Sequence, residues 1–300
     1  MHLQVIFLKC YDCVLINYPA SQSLQSTSFL DTSKRLTDLQ LDQIMDNLAC
    51  ARKLDPLKSL QLCYYAYRKS VSSNRPEMGQ EAPFWGHPKF ESWKSSQGTA
   101  LIMVKGDYKA RQVINSFGLN IIRLLRQNGI PVVWALKSPG GSSEESVSAV
   151  DIVKDLICQI LRLNINQHTE RSFSLSCAQF RAAETPAQWF DLLAKVLDQL
   201  SLLYIVIDIE AVSIAYAKTT EGFSWMSSFS TLLRSLSERQ SKTKVKVLLV
   251  SYGSASFQEP NLAYYSDLVV FTRHSMHGTS QRRGRYQMPA RRCKPTGRKT

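Results

Sequence analysis

Apolar residues along this chain fall into two alternating patterns. Short unbroken runs, Leu101–Val104, Val132–Leu136, Leu202–Ile207, Val245–Val250 (interrupted by Lys246) and Leu268–Phe271, read as strands covered on both faces. Between them lie longer stretches in which apolar residues return every three or four positions, the mark of helices with one buried face. The stretch from Thr99 to Ser138 organises the rest. A strand runs into Gly106, an amphipathic helix carries Val113, Ile114, Phe117, Ile121, Leu124 and Leu125 on one stripe, and a second strand follows Asn128-Gly129-Ile130-Pro131. Glycine and proline there end the helix. The result is a βαβ unit whose glycine turn sits at a helix start, where backbone N–H groups can hold an anion.

Further on, a helix is predicted from about Ser146 to Leu163, and another begins at Thr185-Pro186 with a cap and a first-turn proline. The strand Leu202–Ile207 ends in Asp208-Ile209-Glu210, and a helix is predicted over 222–238. Strands alternating with helices imply an α/β fold, a mostly parallel sheet flanked by helices, with any ligand cleft at the C-terminal strand ends. Upstream, residues 1–80 read as a helical region, with cap signals at Asp31-Thr32-Ser33 and Asp55-Pro56. Residues 70–83 are polar, with two prolines, and read as a linker. The α/β domain is expected over 84–272. It opens on Phe84, Trp85, Phe90 and Trp93, which either line a base-binding pocket or, the preferred reading, lock a lead-in segment onto the sheet.

Composition changes this picture in one place. The net charge of +13 suggests nucleic acid, yet nine of the cations lie in residues 273–300, which contain no carboxylate; residues 1–272 carry the remaining +4. That tail is expected to lack fixed structure. It offers nucleic acid, or a nuclear import receptor, a polycationic partner. The seven cysteines are scattered and odd in number, so reduced thiols and a cytoplasmic location are expected. Cys10-x-x-Cys13 lacks a second ligand pair at zinc spacing, as does His274-x-x-His277. The apolar pieces of residues 1–18 are too short to span a bilayer, and no membrane association is expected. No serine or cysteine stands in a nucleophile-turn context.

Several phrases together resemble a degenerate group of fungal P-loop NTPase-like proteins of the STAND or NACHT-like kind. They are Asp31–Gln40, Phe84-Trp85, Ile130–Lys137, Leu203–Asp208 and Val245–Gly253. The resemblance implies a P-loop NTPase-like α/β domain that serves as a signalling scaffold with protein partners. It also marks vestigial nucleotide-binding residues: Gly106, Lys109, Arg111, Gln112, Val113, Asp208, Glu210 and Ser251. A phosphate loop G-x-x-x-x-G-K-[ST] needs close backbone approach, a lysine on the terminal phosphates and a hydroxyl on Mg²⁺. Laid from Gly106, these three positions hold Arg111, Gln112 and Val113.

Asp208 matches the Mg²⁺-orienting aspartate, with Glu210 as a substitute base, but Ser251-Tyr252 replaces the Ser-Arg of relatives. Asp208 is expected to hydrogen-bond the Gly106 loop in preference to binding a metal. No catalytic residue and no cofactor is assigned, and the losses argue against an enzyme. The alternative reading is a nucleotide switch in which Lys109, Arg111 and Asp208 contact ATP or GTP with Mg²⁺.

Overall fold

Strands β1 (Ala100–Gly106), β2 (Val132–Ala135), β3 (Leu202–Asp208), β4 (Lys244–Ser251) and β5 (Val269–Thr272) form one sheet in the order β2-β3-β4-β1-β5. Every neighbouring pair is parallel. The computed structural model describes residues 46, 48, 55–73, 84–137, 147–163, 179–198, 200–212, 223–252 and 262–272. The expectations for Cys10 and Cys13, the cap at residues 31–33, His274 and His277, and the tail 273–300 concern residues outside that set.

Parallel strands need crossover connections, and the helices that make them cover both faces of the sheet. Alternate residues of each strand point to opposite sides. Leu101 and Met103 of β1 enter one core with helices α4 (Ala149–Leu163), α5 (Pro186–Leu197) and α6 (Trp225–Glu238). Ile102 and Val104 enter the other, with α1 (Pro56–Ser73), α2 (Pro88–Ser95) and α3 (Arg111–Gln127). The architecture is α/β, a five-stranded parallel sheet between two helical layers.

The local signals explain where elements start and stop. Asp55 accepts the N–H groups of Leu57 and Lys58 at the head of α1. Thr185 and Gln188 close a reciprocal capping box on α5. Helix α3 ends in a Schellman turn: Gly129 has φ +67°, and the N–H of Ile130 returns to the Leu125 carbonyl. Helix α1 runs on to Ser73, so residues 70–73 of the polar stretch are helical.

Helix α6 ends in the same turn, with Ser241 N–H on the Leu236 carbonyl, but the left-handed residue is Gln240, at φ 53°. A side chain there strains the backbone by about 1 kcal/mol. Gln240→Gly is therefore expected to raise stability by roughly 0.5–1 kcal/mol in urea titration.

The aromatic lead-in is core. Phe84 and Phe90 pack on Phe117 of α3 at centroid distances of 4.9 and 5.2 Å, and Phe90 stacks on Trp93 at 5.3 Å. Two lysines fasten this segment by capping helical C-termini, where carbonyls point outward. Lys89 Nζ donates to the carbonyls of Ser266 and Val269, at the end of a 3₁₀ segment, Leu262–Leu268. Lys246, buried in the middle of β4, donates to the carbonyls of Trp93, Lys94 and Ser96 at 2.7, 2.8 and 2.7 Å. A cation within the otherwise apolar run Val245–Val250 thus finds three acceptors at the end of α2.

β2 is an edge strand, and its outer side is finished by a side chain. Gln159 of α4 accepts the Trp134 N–H at 3.1 Å and donates to the Trp134 carbonyl at 2.8 Å. Its amide also donates to Asp155, whose carboxyl burial pushes up to about 6, with the Gln159 bond acting in the opposite sense. The Trp134 indole donates to the Pro56 carbonyl at 2.9 Å, tying α1 to this edge.

Candidate functional site

Register brings the sequence-marked residues to one end of the sheet. Lys105 pairs with Ser251, Gly106 with Thr272, and Asp208 with Val250, which pairs on its other side with Val104. β4 lies between β1 and β3, so Gly106 and Asp208 are two strands apart, about 10 Å across the sheet.

The turn after β1 has the length of a phosphate loop. Gly106 ends the strand, four residues intervene, and α3 starts at Arg111. Its interior is already bonded. Asp107 Oδ1 accepts the N–H of Ala110 at 2.9 Å and caps a 3₁₀ turn, Tyr108–Ala110. A phosphate nest alternates right- and left-handed residues so that successive N–H groups converge. Here no residue of the turn has positive φ; among the described residues only Gln240 and Gly129 do. Arg111 stacks on the Tyr108 ring, 4.3 Å from its centroid, and its guanidinium donates to the Tyr108 hydroxyl. Lys109, Arg111 and Gln112 are exposed, and Val113 is half-buried.

The carboxylates at the end of β3 are buried. Asp208 accepts the Glu210 N–H at 3.0 Å through Oδ1 and the Tyr252 hydroxyl at 3.2 Å through Oδ2. It caps its own 3₁₀ turn, Ile209–Ala211. Its two partners are therefore Glu210 and Tyr252, not the Gly106 loop. Glu210 accepts the Ser251 hydroxyl at 3.1 Å. Burial pushes the Asp208 carboxyl up to about 7; the Glu210 charge adds to the rise, while the Glu210 N–H, the Tyr252 hydroxyl and Lys137 oppose it. The Tyr252 phenol is raised by burial and by the same two carboxylates, and the Asn115 amide of α3 lies beside its oxygen.

Helix α1 closes the group from outside. Cys63 Sγ donates to the Lys137 carbonyl at 3.4 Å, and burial, with the Asp208 charge second, pushes this thiol up to about 11. A thiol held protonated is a poor nucleophile. Asp208, Glu210, Ser251 and Tyr252 thus form one hydrogen-bonded cluster, with Gly106, Lys109, Arg111 and Gln112 in a separate turn nearby. Tyr252 was visible in the sequence only as a missing arginine; its ring fills the space between β3 and α3. Cys63, Lys137 and Asn115 carried no signal, since nothing in their spacing points to one another.

Among the described residues, no three His, Cys, Asp or Glu side chains gather closely enough to hold a metal ion, and no helix is long and apolar enough to cross a membrane. Two open grooves lie elsewhere, one between α1 and α3 and one between α2 and α6.

No family model and no curated protein matches the chain. Among solved structures, a chain of Drosophila ORC bound to AT-rich DNA and Cdc6 aligns with it at 11% identity and a TM-score of 0.26, over 87% of this chain and 35% of that one. This chain spans about a third of that protein's length, and likeness at this level carries no argument.

Proposed function

We propose that this domain keeps a P-loop NTPase-like frame as a scaffold for protein partners in signalling and does not transfer phosphoryl groups. The observation that carries this reading is the Asp107 carboxylate on the Ala110 N–H. An anion of the protein's own occupies the turn where a phosphate would seek backbone donors, and it adds a like charge that repels one. Gln112 and Val113 supply neither the lysine that bridges phosphates nor the hydroxyl that holds Mg²⁺. Asp208 spends both oxygens on Glu210 and Tyr252.

Mg²⁺-dependent hydrolysis of ATP and GTP by the full chain tests it. No turnover above background is expected, and Asp208→Ala is expected to change nothing in that assay. A rate that Asp208→Ala abolishes overturns the reading. A nucleotide switch is the second reading, favoured by the exposed cations Lys109 and Arg111 beside the turn. It requires the melting temperature to rise with millimolar ATP or ADP, as linkage demands of any ligand of the native state. The scaffold reading expects no such rise.

A further inference from the structure

We propose that the groove between α1 and α3 is a binding surface for single-stranded nucleic acid. The two helices carry Lys58, Arg68, Lys69, Arg111, Arg123 and Arg126 and not one carboxylate. Between them lies an open groove of about 710 Å³. Arg68 faces it from α1, and Arg123 and Arg126, one turn apart, face it from α3. Among the described residues no carboxylate lines the groove, so its guanidiniums present positive charge to an external anion.

The aromatic groups favour nucleotides over other polyanions. Tyr64 forms part of the floor; its hydroxyl donates to the Leu119 carbonyl at 3.1 Å, which fixes the ring. Tyr65 stands on the rim and is 71% exposed, a large ring open to solvent. Arg126 is braced over the Trp134 ring at 5.4 Å. The amides of Gln61 and Gln127 complete the lining and offer both donors and acceptors to base edges. Guanidiniums along a backbone track, with a ring for stacking, are the two elements of single-strand binding. A duplex keeps its bases stacked inside and presents no face to Tyr65. An acidic peptide or an anionic lipid surface uses the cations but has no use for the rings.

The test is fluorescence anisotropy of labelled oligothymidylate and oligouridylate against the full chain, over a salt series. Tyr65→Ala is expected to weaken binding about tenfold, the loss of one stacked base. Arg68→Ser and Arg123→Ser are each expected to lower the salt slope by about 0.7, one phosphate contact on a single strand. The comparison is Arg234→Ser, which removes an exposed cation, 3.9 Å from Glu238, from α6 on the opposite face of the sheet and should leave both quantities unchanged. Tyr65 is solvent-exposed, so its variant keeps the fold, which circular dichroism checks. The proposal is overturned by no binding at all, or by Tyr65→Ala within twofold of wild type, the result if the cations of residues 273–300 do the binding. Equal losses from Arg234→Ser, duplex bound as tightly as single strand, or full competition by polyglutamate or phosphatidylserine vesicles overturn it too.

Discussion

Lys246→Met is expected to lower stability by about 3 kcal/mol, a fall of roughly 6–12 °C in melting temperature. Methionine matches the length of the stem and fits an apolar strand, so the loss comes from the head group. Three backbone carbonyls at the end of α2, those of Trp93, Lys94 and Ser96, lose a charged donor they hold at 2.7–2.8 Å. Each bond to a charged donor contributes about 1.5–3 kcal/mol, and the relief of burying one ammonium less offsets part of the sum. Urea titration of both chains measures the difference. A loss under 1 kcal/mol means that water reaches those carbonyls and that α2 is not held in this way. Lys246→Arg should also destabilise, because a flat guanidinium cannot aim at three carbonyls grouped round one point.

The second large effect concerns Asp208. Its carboxyl titrates near 4 in the unfolded chain and at about 7 in the fold. Between those values the native state binds the extra proton, so unfolding releases it, and stability falls as pH rises through the window. Above pH 7 the whole penalty is present. A rise from 3.8 to about 7 corresponds to roughly 4 kcal/mol. Asp208→Asn keeps an oxygen for the Glu210 N–H and an amide for the Tyr252 oxygen but cannot ionise. Its melting temperature is therefore expected to be flatter than the parent's from pH 6.5 to 8, and to exceed that of the parent chain at pH 8, while Asp155, raised to about 6, gives both chains a slope below that window. The groups facing this carboxyl from neighbouring elements are Glu210, Tyr252, Lys137 and Cys63. Parallel pH profiles for the two chains would show that another of these controls the slope.

Much of the fold was legible before any coordinates. Unbroken apolar runs such as Leu202–Ile207 marked strands covered on both faces, and stripes such as Ile114, Phe117, Ile121 and Leu125 marked the helices that cover them. Caps at Asp55, Thr185 and Gly129 placed helix ends to within a residue or two. These signals are local, and the structure honours them. Strand order is not local: nothing in the sequence of β4 says that it inserts between β1 and β3. The partnership of Asp208 with Tyr252 follows from that order, so a loop bond to Gly106 looked as natural on paper as the bond that forms. Lys246 interrupts a run read as a buried strand, and its acceptors lie about 150 positions earlier in the chain, at the end of a helix whose placement depends on packing.

The Gln159 amide has a consequence for how copies of this protein meet. An exposed strand edge invites pairing with a foreign strand, the first step toward ribbon-like aggregates. At Trp134 both ladder groups are already answered by one glutamine, so an intruding strand would have to evict it and strip Asp155 of the Gln159 amide as well. Helix α4 thereby acts as a lock on polymerisation through β2, built from a single uncharged side chain.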